Sequence, residues 1–107
     1  MPEHPFHPRF TACYERSFDL SLRKLGFAGP NFDFFWRAVE AELLDYPWEY
    51  SRELPNSDGL RIRHTRGAFQ DIPALLVYFK VDPVKEFVRF VGLSPDWSDD
   101  EVFRRPD

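Results

Sequence analysis

One cysteine, Cys13, stands among 107 residues. A single thiol closes no intrachain disulfide and cannot alone supply a thiolate metal site. Long apolar runs are missing as well: none approaches the ~20 residues that span a bilayer. The opening Met-Pro-Glu-His-Pro has neither the basic nor the apolar region of a secretory signal. A cytoplasmic protein without membrane association is the expectation. Positive charge is not in excess. The 14 Lys and Arg against 18 Asp and Glu leave a net charge of -4, which argues against an obligatory nucleic-acid binder that must displace counterions from phosphates. There are no internal repeats and no low-complexity tracts, and no spacing of ligand residues calls for a metal or cofactor.

Aromatic residues are abundant. They make up 18% of the chain, with twelve Phe, and their large buried area compensates for the unfavourable surface-to-volume ratio of a small domain. The rest of the composition, 43% hydrophobic and 30% charged, is that of a globular chain with room for one core.

Residues 60–93 organise the remainder. Three runs of β-branched, aromatic and aliphatic residues, separated by a Gly-led and a Pro-led turn, predict a three-stranded antiparallel meander. The first run alternates: Leu60, Ile62 and His64 fall on one side, Arg61, Arg63 and Thr65 on the other. The apolar set is expected to face the core and the arginines to face out. Between residues 60 and 90, six cations, Arg61, Arg63, Arg66, Lys80, Lys85 and Arg89, stand against three carboxylates, so this half is locally basic within an acidic chain. Such a face holds an anion at short range, although salt screens any long-range attraction. Solvation and pairing with nearby acids is the plainer reading of the same arginines.

Ahead of the meander, residues 1–9 hold three prolines and read as a flexible arm, in which His4 and His7 lack the helix that would pair them on a metal. Phe10, Ala12 and Tyr14 alternate with Thr11, Cys13 and Glu15 as a first strand, with Cys13 read as a small core residue. Ser17 is the expected cap of a short helix with Phe18, Leu22 and Leu25 on its buried side, stopped by Gly26. Pro30 and Asn31 open a second helix, with Asn31 as candidate cap. Phe32, Phe35, Trp36, Val39 and Leu43 form its apolar stripe, and Arg37, Glu40, Glu42 and Asp45 its solvated side, up to Pro47. A short strand near Tyr50 to Leu54 is expected to pair with the first meander strand through the turn Asn56-Ser57-Asp58-Gly59. Asp82-Pro83 opens the last turn. Residues 96–107 read as an acidic tail in which Ser98 caps a final helical turn.

In this order the pieces resemble the RelE/ParE toxin superfamily of bacterial toxin–antitoxin systems. The likeness rests on FTACYERSFDLSLRKL (10–25), LLDYPWE (43–49), LRIRHTR (60–66), LLVYFKVD (75–82) and VRFVGL (88–93), across most of residues 10–95. It implies an α+β domain with two N-terminal helices packed on one face of a twisted antiparallel sheet, the first strand returning beside the last. It implies a small antitoxin as partner, meeting Arg61 and Arg63 with carboxylates. In RelE-like members the open sheet face cuts messenger RNA on the ribosome with basic side chains. Arg61 and Arg63 match the paired basic residues of the strand opening the meander. Departures follow: aligned on the RelE pattern, Leu75 stands where an Arg is usual; aligned on the ParE pattern, Lys80 replaces that branch's Arg. Leu93, Ser94 and Pro95 replace the basic or His residues after the last strand's Gly. With His64 turned inward, no general acid or base is expected.

The expected function is therefore a toxin-like protein, ParE-like or catalytically degenerate, that binds a protein target of the topoisomerase kind. The alternatives are an endoribonuclease acting on mRNA at the ribosome, and a non-toxic interaction domain, including a homodimer. The candidate anion- or partner-binding residues are Arg61, Arg63, Arg66, Tyr78, Lys80 and Arg89.

Overall fold

A computed structural model describes residues 9–26, 29–65 and 72–96. The expected N-terminal arm, the Gly-led turn with Arg66, and the tail beyond Asp96 with its Ser98 cap lie outside the described residues, apart from Arg9. In chain order the elements are β1 (Thr11–Tyr14), α1 (Arg16–Leu25), α2 (Pro30–Asp45), β2 (Arg52–Glu53), β3 (Arg61–His64), β4 (Leu75–Asp82) and β5 (Phe87–Pro95). They form an α+β fold with one five-stranded sheet in the order β1-β5-β4-β3-β2.

Strand β4 sets the two faces. Leu75, Val77 and Phe79 are fully buried, while Leu76, Tyr78 and Lys80 are half-buried, the alternation of a sheet covered on one side. The covered side meets Phe18 of α1 and Phe32, Val39 and Leu43 of α2 in one core. Phe90 lies at its centre, with ring centroids 5.0 Å from Tyr14, 5.3 Å from Trp36 and 6.2 Å from Phe79. The helical stripe read from the sequence is this core. The α2 cap is not Asn31 but Gly29, with Pro30 in the first turn, where a missing N–H costs nothing. Gly26 ends α1 in the left-handed conformation, φ 76°, and its N–H returns to the carbonyls of Leu22 and Arg23.

The meander is antiparallel, but the sheet is mixed: β1 runs parallel to β5, pairing Thr11 with Phe87 through Tyr14 with Phe90. The expected α+β fold and antiparallel meander are present, with the β1–β5 pair a parallel exception. Alternation fixes which side chains of β1 face the core, and a reversed strand would keep the same alternation.

Strand β5 breaks phase once. Tyr78 pairs with Gly92 and Phe79 with Phe90, so Val91 is an extra residue, a β-bulge that puts Leu93 rather than Gly92 into the core. Beyond this point β1 no longer covers the edge of β5, and two serines of α1 take its place. Ser17 donates to the Val91 carbonyl at 2.6 Å, and Ser21 accepts from the Leu93 N–H at 2.9 Å. Ser17 is thus a residue of the helix and a bridge to the sheet rather than its cap, which is Glu15.

Candidate functional site: the helix-free face of the sheet

Cross-strand partners share a face, so the register assigns every strand residue to a side. Arg61 lies opposite Phe79 and Arg63 opposite Val77, both core residues. The arginines therefore sit on the helix side, contrary to the outward orientation expected from the sequence. Their partners agree. Arg61 donates to Ser51 Oγ at 2.7 Å and to the Ser51 carbonyl at 3.2 Å. Arg63 reaches Glu42 of α2 at 2.6 Å, donates to the His64 carbonyl at 3.2 Å, and lies 5.2 Å from the ring centre of Tyr50. The strand alternates as expected, with the opposite polarity. Near the end of α2 the helix layer offers Glu42 and tyrosine rings to this strand, surroundings that suit guanidinium stems.

The other set, Ile62 and His64, belongs to the helix-free face. Ile62 is buried there, outside the main core, in a row between Tyr78 and Arg52. His64 lies opposite Leu76, which lies opposite Ser94. Tyr78 and Ser94 are linked by a hydroxyl–hydroxyl hydrogen bond of 3.1 Å. Toward the other end, Lys80 pairs directly with Arg89, and Arg89 with Cys13. Cys13 is thus half-buried on this face and not a core residue.

Among the six candidates, Tyr78, Lys80 and Arg89 come together on the helix-free face; Arg61 and Arg63 do not, and Arg66 lies outside the described residues. Two like charges directly opposite across an antiparallel pair are unfavourable. The only acid beside them among the described residues is Glu15, 3.9 Å from Arg89 and half-exposed, a contact worth ~0–1 kcal/mol. An anion seated between Lys80 and Arg89 would offset the repulsion.

Two residues escaped the sequence reading. His64 was assigned inward, and Asp96 was assigned to the tail. Asp96 instead continues β5: its N–H donates to the Ala74 carbonyl at 2.9 Å, and its buried carboxylate accepts from His64 Nδ1 at 2.7 Å. The signal was present in the alternation Gly92, Ser94, Asp96, which carries past Pro95 onto one side of the strand. Among the described residues no three of His, Cys, Asp and Glu gather as a metal site, and no described helix is long and apolar enough to cross a membrane.

No protein-family model matches the chain, and no curated protein matches it. Solved structures do. A chain of the toxin–antitoxin complex RelBE2 from Mycobacterium tuberculosis superposes with a TM-score of 0.60 at 14% identity, over 84% of this chain and 94% of that one. The conserved hypothetical protein HP0892 from Helicobacter pylori superposes with a TM-score of 0.53 at 18% identity, over 80% of this chain and 93% of that one. At these identities the likeness is one of architecture: from β1 to β5, this chain has the fold that RelBE2 and HP0892 share with it.

Proposed function

We propose that this protein is a toxin-like component of a bacterial toxin–antitoxin pair, held inactive by a small protein partner, with the helix-free face of its sheet as the working surface. The match to nearly the whole length of a chain from a toxin–antitoxin complex supports the fold side of this reading. The observation that carries the surface is the Lys80–Arg89 pair, two cations directly opposite each other beside Tyr78, with Glu15, 3.9 Å from Arg89, the one acid near them among the described residues. Of the two modes of action, cleavage of RNA suits this face better than binding of a protein target. A phosphate chain satisfies the paired cations, the Tyr78 ring offers a surface for a base, and His64 supplies a titratable group. Arg61 and Arg63, engaged on the helix side, are assigned to stability. A protein target remains the second reading, favoured by the net charge of -4.

The test is induced expression with and without the neighbouring reading frame, following growth and translation separately. Arrest relieved by the neighbour, and abolished by Lys80→Ala with Arg89→Ala, is the expected result. Unimpaired growth with a folded protein overturns the toxin reading. Arrest with intact RNA, in cells and with purified ribosomes, transfers it to the protein-target mode.

A further inference from the structure

The cations do not exhaust this face. His64 is the one imidazole among the described residues, and it is held at one end only. Its side chain is 40% exposed, whereas that of Asp96 is 2% exposed, and the two meet at 2.7 Å through Nδ1. An ionised carboxylate only accepts hydrogen bonds, so in the neutral ring this contact selects the tautomer with hydrogen on Nδ1 and turns Nε2 to the open side. Asp96 is itself fixed, because its backbone N–H extends the β4–β5 ladder to Ala74.

We propose that Asp96 is a positioning residue that holds His64, by tautomer and orientation, as the proton acceptor of an RNA-cleaving site. This rests on the reading of the helix-free face as an RNA surface. In the step, His64 Nε2 takes the hydrogen of a ribose 2′-hydroxyl, and the 2′-oxygen forms a bond to the adjacent phosphorus. The bond from phosphorus to the 5′-oxygen breaks, its electron pair leaves with that oxygen, water protonates it, and the hydroxide so formed takes the hydrogen back from His64 Nε2. A 2′,3′-cyclic phosphate and a 5′-hydroxyl result, with no other reagent consumed.

The strand geometry separates two roles. His64 and Lys80 lie in rows four residues apart along the strands, ~13 Å at the usual rise. The Lys80–Arg89 pair therefore holds a neighbouring phosphate and not the reacting one. Among the described residues, the nearest cation to His64 on the same face is Arg52, opposite Ile62, one diagonal step away on the adjoining strand. A cleft bordered by Arg52, Ile62 and His64 opens there at the sheet edge, with Glu49, Tyr50 and Arg63 also in its wall. Arg52 thus stands where charge on the reacting phosphate develops.

The test pairs a structural readout with a kinetic one. Long-range ¹⁵N–¹H correlation spectra of the full chain should show His64 with hydrogen on Nδ1 and a bare Nε2. In Asp96→Asn, an isosteric change, the amide donates to Nδ1 and the hydrogen moves to Nε2. On an oligoribonucleotide or on purified ribosomes, His64→Ala should lose ~10²–10⁴-fold in rate. Asp96→Asn should lose ~10²–10⁴-fold in kcat with KM nearly unchanged, as for a group that acts through another. His64→Ala cutting at the wild-type rate overturns the proposal, as does an Asp96→Asn protein with unaltered tautomer and kcat; growth arrest by those same variants would leave the toxin reading standing. A wild-type protein that cuts no RNA overturns this proposal together with the RNA mode.

Discussion

Arg63 Nη2 lies 2.6 Å from Glu42 Oε1, joining β3 to the end of α2 on the helix-covered side. The arginine side chain is 14% exposed, and its Nη1 is buried without a hydrogen-bond partner. Removing Glu42 strands a charge that is mostly withdrawn from water, whereas removing the arginine head leaves a stem-shaped apolar space. Glu42→Ala should therefore destabilise by ~1–3 kcal/mol. Arg63→Met should stay within ~1 kcal/mol of the parent and retain activity. Urea unfolding checks the first part and the growth assay the second.

The serine bridge from α1 to the bulged edge of β5 makes a prediction that is local. Ser21→Ala leaves the Leu93 N–H without its acceptor and should cost ~1–2 kcal/mol. Ser17→Ala strands the Val91 carbonyl, which stands closer to solvent, and should cost less. Native-state hydrogen exchange separates the two: the Leu93 amide should exchange faster in Ser21→Ala and keep its protection in Ser17→Ala.

Tyr14 ties the first strand to the second helix. Trp36 Nε1 donates to its oxygen at 2.6 Å, and its hydroxyl donates to the Glu40 carboxylate. Burial, and next the hydrogen bond to Glu40, push its ionisation well above the ordinary tyrosine range. A group whose folded-state pKa is raised contributes stability that is intact below its unfolded value, ~10 for tyrosine, and is lost as pH climbs past it. The urea midpoint should accordingly fall as pH rises from about 10, and Tyr14→Phe should flatten that decline while lowering the plateau at neutral pH.

Phe90 touches the rings of Tyr14, Phe18, Trp36 and Phe79 and is fully buried. Phe90→Ala should cost ~3–5 kcal/mol, a large share of what a domain of this size commands. Phe79→Leu, a smaller truncation in the same buried cluster, should cost less and leave the unfolding transition cooperative. Thermal denaturation followed by near-ultraviolet circular dichroism measures both.

Much of the fold could be read because periodicity reports burial directly. The stripe from Phe32 to Leu43, the stop at Gly26, and the alternation of the meander all name the side chains that water must leave. Sidedness was harder. In the strand from Arg61 to His64, two alternating sets are visible, but composition alone does not say which one the helices cover. The apolar look of Leu60 and Ile62 pointed inward, while Glu42 and Tyr50, distant in sequence, draw the arginines there. Inverting that one strand concealed His64. Asp96 was hidden for a different reason: Ser-Pro-Asp reads as an exit from a strand, yet the backbone bond to Ala74 carries the ladder one residue further. The direction of β1 was illegible because a strand's pattern is the same read from either end.

The pairing of Thr11 with Phe87 joins partners that are far apart in the chain and so in the order of synthesis. Strand β1 can dock on α2 early but has no strand to pair with until β5 follows, so the aromatic centre around Phe90 closes late. Non-local closure of this kind is slow and leaves sticky surface waiting. A chain interrupted before β5 would consequently leave Tyr14, Phe18 and Trp36 without the ring on which they close.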